Sequence, residues 1–421
     1  MTRSFDAVIL ADSSHANVKL LGLTLAERGR RVALKAGARR VHVIDGPDAA
    51  AALPAWDEGR GDADLLVIRA GDQLVHRPLV EPLVQGTRDR RIAVGPDGYA
   101  GALWASRDVA PQVTAAIADA PTTADVTLAN QWTDAERIAH GDIARHPATT
   151  PAERAGAVRM LLRILVKHDE DGPISKYILR PMSQPLTRLL LHTPITPNQV
   201  SYAVAVIGLL GCWFTSRPGQ SSLVLGAALV FVAGVIDGCD GELARLRLTS
   251  STFGAWLDTV VDELTTTTYF VAVGYHTYTH RPEGWIASTV VLGTLCYVFS
   301  IYAIYYFLIV VLKAGNSQYY LGDLEIVDTS TGAALRARRR APSAAPWIRK
   351  LGALLTLTVR RDFVNLAALM LTLFDSYLGI YFGMLAGGVV AAMVILPEHV
   401  RLRRQVREIA RRGGVPRLVS S

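Results

Sequence analysis

Four aspartates define the chemistry to look for in this chain. Asp237 and Asp240 share a segment with Gly241, Ala244 and Arg245, and Asp258 and Asp262 follow Gly254 at intervals of four. Residues three and four apart lie on one face of a helix, so each pair presents its carboxylates together. The two segments meet near Thr249-Ser250-Ser251. Counting outward, Asp237 and Asp262 lie about a dozen residues away and Asp240 and Asp258 about nine, so at roughly 1.5 Å per residue an antiparallel helix pair brings all four to similar depth. Facing carboxylates repel one another unless cations sit between them, and hard oxygen ligands suit Mg²⁺ or Mn²⁺. Two such ions a few ångströms apart can activate a nucleophile and stabilise a phosphoryl transition state. Arg245 adds planar donors matched to phosphate. Gly241, Ala244 and Gly254 keep the facing surfaces low, so a ligand or a neighbouring backbone can come close. These residues point to metal-assisted chemistry on a phosphorylated substrate. The bland reading of the same spacing is a buried charge network between helices with no chemistry.

The segments that must position these residues are apolar. Half of the 421 residues are hydrophobic. Six runs read as membrane spans: 200–214, 222–246, 253–275, 285–312, 363–381 and 384–402, some of them near the lower limit for crossing about 30 Å of hydrocarbon. Carboxylates at that depth are costly and mark a functional site. The formal net charge is +7, but the arginines cluster beside apolar runs, at Arg336 to Arg340, Arg360-Arg361 and Arg401 to Arg417, without interleaved aromatics. That pattern speaks against nucleic acid as a partner and for span flanks that touch membrane lipids. The short loops 216–220 and 276–283 and the turn near Gly383 carry little positive charge. The positive-inside rule therefore places both termini and the aspartate cluster on the cytoplasmic side of an integral membrane protein. Cys212, Cys239 and Cys296 lie in apolar stretches and indicate no disulfide framework. His192, His276 and His280 show no ligand spacing. The start, Met1-Thr-Arg-Ser, leads into a short strand-like run and not into the long apolar core of a signal peptide.

The organisation changes near residue 170. Residues 1–168 read as a cytosolic α/β domain, 169–198 as a linker with an amphipathic helix along the membrane surface, and 199–421 as a six-helix membrane domain. In the first part, Ala7-Val-Ile-Leu-Ala11, Val41-His-Val-Ile-Asp45 and Leu65-Leu-Val-Ile-Arg69 are strand candidates separated by helical periodicity. That alternation predicts a parallel sheet with helices on its faces. At the membrane side, Thr196 and Asn198 with Pro197 read as a helix start. Between the fourth and fifth spans, Asp323, Glu325 and Asp328 form an acidic patch beside the basic run at Arg336, both read as solvated.

The pattern D-x2-D-G-x2-A-R-x8-G-x3-D-x3-D is matched at every fixed position by Asp237, Asp240, Gly241, Ala244, Arg245, Gly254, Asp258 and Asp262. It resembles the signature of the CDP-alcohol phosphotransferase (CDP-alcohol phosphatidyltransferase) family. The resemblance implies transfer of a substituted phosphate from a CDP-linked donor to an acceptor hydroxyl, on a lipid or a polyol phosphate, with release of CMP. It implies that Asp237, Asp240, Asp258 and Asp262 ligate two divalent cations and that Asp262 is also the general base. It implies that Gly241, Ala244, Arg245 and Gly254 serve the CDP moiety, and that the protein is a homodimer. In some members basic residues at the position of Arg360-Arg361 bind a phosphorylated acceptor; a topology anchor is the plainer reading.

The N-terminal part resembles a nucleotidyltransferase-like (cytidylyltransferase-like) domain in its opening strand and helix, in Ala36-Gly-Ala-Arg-Arg-Val-His-Val-Ile44 and in Gly71-Asp72. The domain pair is similar to the archaeal-type di-inositol-phosphate phosphate synthases. The loop Asp12-Ser-Ser-His-Ala-Asn17 departs from that family because it has no glycine to build a phosphate cradle, and Lys19 alone is a weak signal. The expectation is a non-catalytic N-terminal domain. Two other classes are compatible with parts of the chain: a membrane scaffold or nucleotide-binding protein with both domains degenerate, and a transporter. An intact eight-position motif argues against the first, and the Arg245 to Gly254 spacing is unexplained by the second.

Overall fold

A computed structural model describes residues 4–165, 172–313, 324–329, 332–337 and 360–419. The chain forms two compact units. One gathers the N-terminal segment with Arg188–Pro194 and Glu242–Thr249, and the other gathers the remaining described residues.

The first unit is built on a six-stranded sheet. Its strands are β1 (Phe5–Leu10), β2 (Val41–Ile44), β3 (Asp64–Arg69), β4 (Arg90–Gly95), β5 (Gly98–Ala105) and β6 (Glu136–Ala139), in the order β2-β1-β3-β5-β4-β6. Successive side chains of a strand point to opposite faces. In β1, Ala7 and Ile9 enter one core with Val32, Leu66 and Trp104, while Val8 and Leu10 enter another with Ile44, Leu65 and Leu103. Both faces are covered, which is why the strand reads as a continuous apolar run. Asp6 interrupts that run and is fully buried; Arg39 and Arg40 hold it at 3.0 and 2.7 Å.

Helix α1 (Leu25–Ala36) starts where the Thr24 hydroxyl accepts a bond from the Glu27 N–H and stops at Gly37, whose φ of 106° favours glycine. The sheet is parallel among β1, β2 and β3, but β5 runs antiparallel to both β3 and β4. The three strands expected from the sequence are thus parallel to one another, and the antiparallel pairs come from strands added beyond them, which makes the sheet mixed. Gly95 pairs with Gly98 across a two-residue turn, and so short a connection makes a hairpin, never a crossover.

The second unit is helical. Its long elements, with the shorter helices of the chain numbered α2 (Ala110–Asp119), α3 (Ala124–Gln131), α4 (Pro151–Arg163) and α5 (Arg180–Leu190), are α6 (Pro197–Thr215), α7 (Gln220–Arg247), α8 (Thr252–His280), α9 (Gly284–Phe307), α10 (Arg361–Thr372) and α11 (Tyr377–Arg411). Helix α6 begins in a capping box of Thr196 and Gln199 with Pro197 in its first turn. Small residues let α6 and α7 touch at their backbones. A Cβ on Gly226 would stand 2.7 Å from the Gly211 carbonyl oxygen, and one on Gly211 would stand 2.9 Å from that of Gly226.

Four helical stretches among the described residues are long and apolar enough to cross a membrane: Pro197–Thr215, Gln220–Arg247, Gly284–Leu312 and Tyr377–Arg411. The other two expected spans are helical but differ from these. Helix α8 has the length, at 29 residues, but carries Asp258, Asp262, Glu263 and the run Thr265 to Thr268. Helix α10 has 12 residues, about 18 Å of rise, short of the hydrocarbon thickness. The expected surface helix over 173–191 is a π-helical turn, Ser175–Leu179, followed by α5.

Strands β7 (Leu324–Thr329) and β8 (Gly332–Ala337) form a hairpin, with β9 (Leu418–Val419) parallel to β8. Within the hairpin Glu325 and Arg336 pair at 2.8 Å while both side chains stay exposed to solvent. Asp323 and Arg338 to Arg340 lie outside the described residues.

Candidate active site

Helices α7 and α8 carry the aspartates. The turn between them is tight: Leu248 has a φ of 55°, the Thr249 N–H donates to the Ala244 carbonyl at 2.9 Å, and the Ser251 hydroxyl caps α8 by accepting from the Gly254 N–H at 3.0 Å. The two helices thus diverge from a common turn, and carboxylates counted outward from it meet. One oxygen from each of Asp237, Asp240 and Asp258 lies within 4.8 Å of the others.

Asp240 is the most buried of the three at 7% exposure. The Ser201 hydroxyl on α6 donates to its Oδ2, and the Gly241 N–H donates to its Oδ1. These two donors orient the carboxylate without neutralising it. Three carboxylate oxygens at this spacing are the hard donor set that suits a divalent cation, so the residues present fit such an ion.

Asp262 stands differently. Arg361, at the start of α10, makes a close ion pair with it, and the same guanidinium nitrogen lies 3.6 Å from Asp237. The fourth carboxylate therefore meets Asp237 through an arginine. Gly254 has a second role besides ending the turn: a Cβ there would lie 3.2 Å from Asn198 Oδ1, so Asn198 at the start of α6 approaches the first turn of α8. Gly241 adjoins Asp240 on α7, and Ala244 and Arg245 follow one turn on.

A cavity of about 690 Å³ opens beside Asp237 and Asp262, and Arg180, Arg360, Arg361 and Glu263 also line it. Arg180 sits over α7, since a Cβ on Gly238 would be 3.4 Å from its Nη1. The segment before it is tied down by the Ser175 N–H, which donates to Asp362 Oδ2 at 3.1 Å. Three arginines around one polar cavity suit an anionic ligand.

Read from the sequence, Arg180 falls in the amphipathic surface helix of 169–198, and no role attaches to Ser201 or to Glu263 and Tyr297, which line the same cavity. Glu263 carried a usable signal, as a fifth carboxylate beside Asp262 in an apolar run. Ser201 and Arg180 carried none, because their helices reach the aspartates only through tertiary packing.

In the N-terminal unit Asp72 follows β3 as expected, but its surroundings are those of an ion-pair network. Arg69 lies 3.2 Å from Asp72 and binds the buried Asp125 through two bonds of 2.9 and 2.7 Å; Asp125 holds the Arg69 guanidinium well above its ordinary pKa. No residue of 12–17 has a positive φ, so that loop forms no left-handed turn around a phosphate. His76, deep in this unit, is pushed down to about 4 by burial and by the neighbouring Arg28 and Arg77.

Comparison with known proteins places the helical site in context. Residues 194–374 match the family profile described as CDP-alcohol phosphatidyltransferase. A bifunctional IPC transferase and DIPP synthase of Thermococcus kodakarensis is 30% identical over 151 residues, 36% of this chain and 34% of that protein. The protein of the same name from Rubrobacter xylanophilus is 42% identical over 92 residues, 22% of this chain and 20% of its own. A CDP-diacylglycerol–inositol 3-phosphatidyltransferase of Drosophila melanogaster is 29% identical over 101 residues, 24% of this chain and 42% of its own. The chain spans 34% and 20% of the lengths of the first two relatives it matches.

Proposed function

We propose that this integral membrane protein, whose residues 194–374 match the CDP-alcohol phosphatidyltransferase profile, transfers a substituted phosphate from a CDP-linked alcohol to an acceptor hydroxyl, releasing CMP. The observation that carries the reading is the meeting of Asp237, Asp240 and Asp258 within 4.8 Å, beside a cavity that also holds Asp262 and three arginines. These carboxylates, with Asp262, are the residues that would hold two divalent cations, Mg²⁺ or Mn²⁺. Such ions polarise a phosphoryl oxygen and compensate developing charge.

The protein's own groups have the following parts. Arg245 binds diphosphate oxygens of the donor, and Gly241, Ala244 and Gly254 leave room for the nucleotide. Arg361 orients Asp262. The Asp262 carboxylate accepts the proton of the acceptor hydroxyl as that oxygen bonds to the phosphorus carrying the alcohol. The bond from this phosphorus to the CMP oxygen breaks, and CMP departs with the electron pair. Positioning and charge neutralisation supply the rate, the usual strategy for phosphoryl transfer. The arginines of the cavity favour an acceptor that is itself anionic, a polyol phosphate, over a neutral lipid alcohol.

The N-terminal unit is read as non-catalytic, supported by the Arg69–Asp72 pair and by the glycine-free loop. In this reading α8 is a fifth span and the aspartates face the cytoplasmic side, supported by the arginine clusters; α10, at 12 residues, is too short to complete a sixth by itself. The family resemblance suggests a homodimer. The test is CMP release by the purified full-length protein from CDP-diacylglycerol or CDP-inositol, with a panel of hydroxyl acceptors and Mn²⁺. Release that depends on both acceptor and divalent ion is expected. Release that survives exhaustive chelation, or none with any acceptor, refutes the reading.

A further inference from the structure

Glu263 lies one residue beyond Asp262 on α8 and lines the same 690 Å³ cavity. The Tyr297 hydroxyl on α9 donates to its Oε2 at 2.8 Å. Among the described residues no protein donor meets its Oε1. Thr266, one turn on, and Asn365 on α10 bring a hydroxyl and an amide to the same cavity wall. A Cβ on Gly234 would lie 3.4 Å from Asn365 Nδ2, so a larger residue there would crowd the amide. The cavity is thus two-sided. Arg180, Arg360 and Arg361 supply cations for an anion, while Glu263, Tyr297, Thr266 and Asn365 supply acceptors and donors without positive charge. A carboxylate with one oxygen open is built to accept hydrogen bonds from hydroxyls, and it repels a phosphate that enters the wrong way round.

We propose that Glu263, oriented by Tyr297, is a specificity residue that reads a non-reacting hydroxyl of the acceptor, and so fixes which hydroxyl of a phosphorylated polyol faces Asp262. This rests on the reading of the cavity as the acceptor pocket. The competing role for the pair is a polar tether between α8 and α9 with no part in recognition.

The test uses the full-length protein and the acceptor that supports CMP release, together with its single-deoxy analogues, each lacking one non-reacting hydroxyl. For wild type, one analogue loses kcat/KM by about 10- to 100-fold, the range for a site left with an unpaired charged acceptor. Glu263→Gln raises KM for the natural acceptor by a similar factor, leaves KM for the CDP donor near its wild-type value, and flattens the discrimination against that same analogue. Tyr297→Phe, which keeps the ring packing, reduces the discrimination partly. Equal treatment of all deoxy analogues by wild type overturns the proposal, and so does undiminished discrimination in Glu263→Gln. Loss of thermal stability in both variants with selectivity intact assigns the pair to the tether. If wild type releases no CMP with any acceptor, the transferase reading itself fails and this inference falls with it, a result distinct from an active enzyme that ignores the hydroxyl.

Discussion

Replacing Asp240 by asparagine should stabilise the metal-free protein and abolish its response to divalent ions. The three carboxylate oxygens of Asp237, Asp240 and Asp258 lie within 4.8 Å of one another. Two unit charges at that distance repel by about 3.5 kcal/mol at an effective dielectric constant near 20. Full ionisation of all three pairs would store about 10 kcal/mol, comparable with the whole stability of an ordinary domain, so a shared proton relieves part of it in the metal-free protein. Asparagine removes two of the three pairs, about 7 kcal/mol as an upper bound, because Asp237 and Asp258 are partly exposed and screened. Its one carbonyl oxygen still accepts from the Gly241 N–H, and its amide nitrogen donates to the Ser201 hydroxyl, which turns from donor to acceptor, so charge is the main change. The assay is thermal unfolding in detergent at one scan rate, in EDTA and in Mn²⁺. In EDTA the variant melts above wild type. In Mn²⁺ wild type rises strongly and the variant rises little, so the order reverses. Equal Mn²⁺ shifts in the two proteins, or a variant less stable in EDTA, would refute the charge argument.

Three further outcomes follow from the same geometry. Asp262→Asn should cut turnover by about 10²- to 10⁴-fold, the usual cost of losing a general base, while CDP-donor binding stays measurable; near-native turnover would remove Asp262 from that role. The full-length protein should release no pyrophosphate from CTP with a polyol phosphate, since Arg69 occupies Asp72; CTP-dependent release that is lost in Asp72→Asn would make the N-terminal unit a second enzyme. His76 has a folded pKa of about 4, below its unfolded value near 6.5, so the neutral form stabilises the fold fully above the unfolded value. That stabilisation, about 3 kcal/mol by linkage, drains as pH falls from there towards 4. Hydrogen exchange of the N-terminal unit in the full chain should therefore accelerate over this window, and His76→Leu should flatten its contribution; an unchanged profile would place the acid sensitivity elsewhere.

What the sequence determined by itself was local and periodic. The spacing of Asp237, Asp240, Asp258 and Asp262 was legible because a helix repeats every 3.6 residues and the turn between the two helices is short. The buried strand β1 and the helix start at Thr196 and Pro197 were legible for the same reason, as each depends on residues within a few positions of one another. The hairpin of β4 and β5 was missed because direction in a sheet is decided by a two-residue connection. The tertiary structure alone brought Arg361 to Asp262 across about a hundred residues of chain, set Ser201 against Asp240, and turned Arg180 from an apparent surface residue into a wall of the cavity. It also set a guanidinium between Asp262 and Asp237, which no count along a helix distinguishes. Periodicity assigns a residue to a face; which cation, hydroxyl or void that face meets depends on the packing of helices far apart in sequence, where no repeat links the partners.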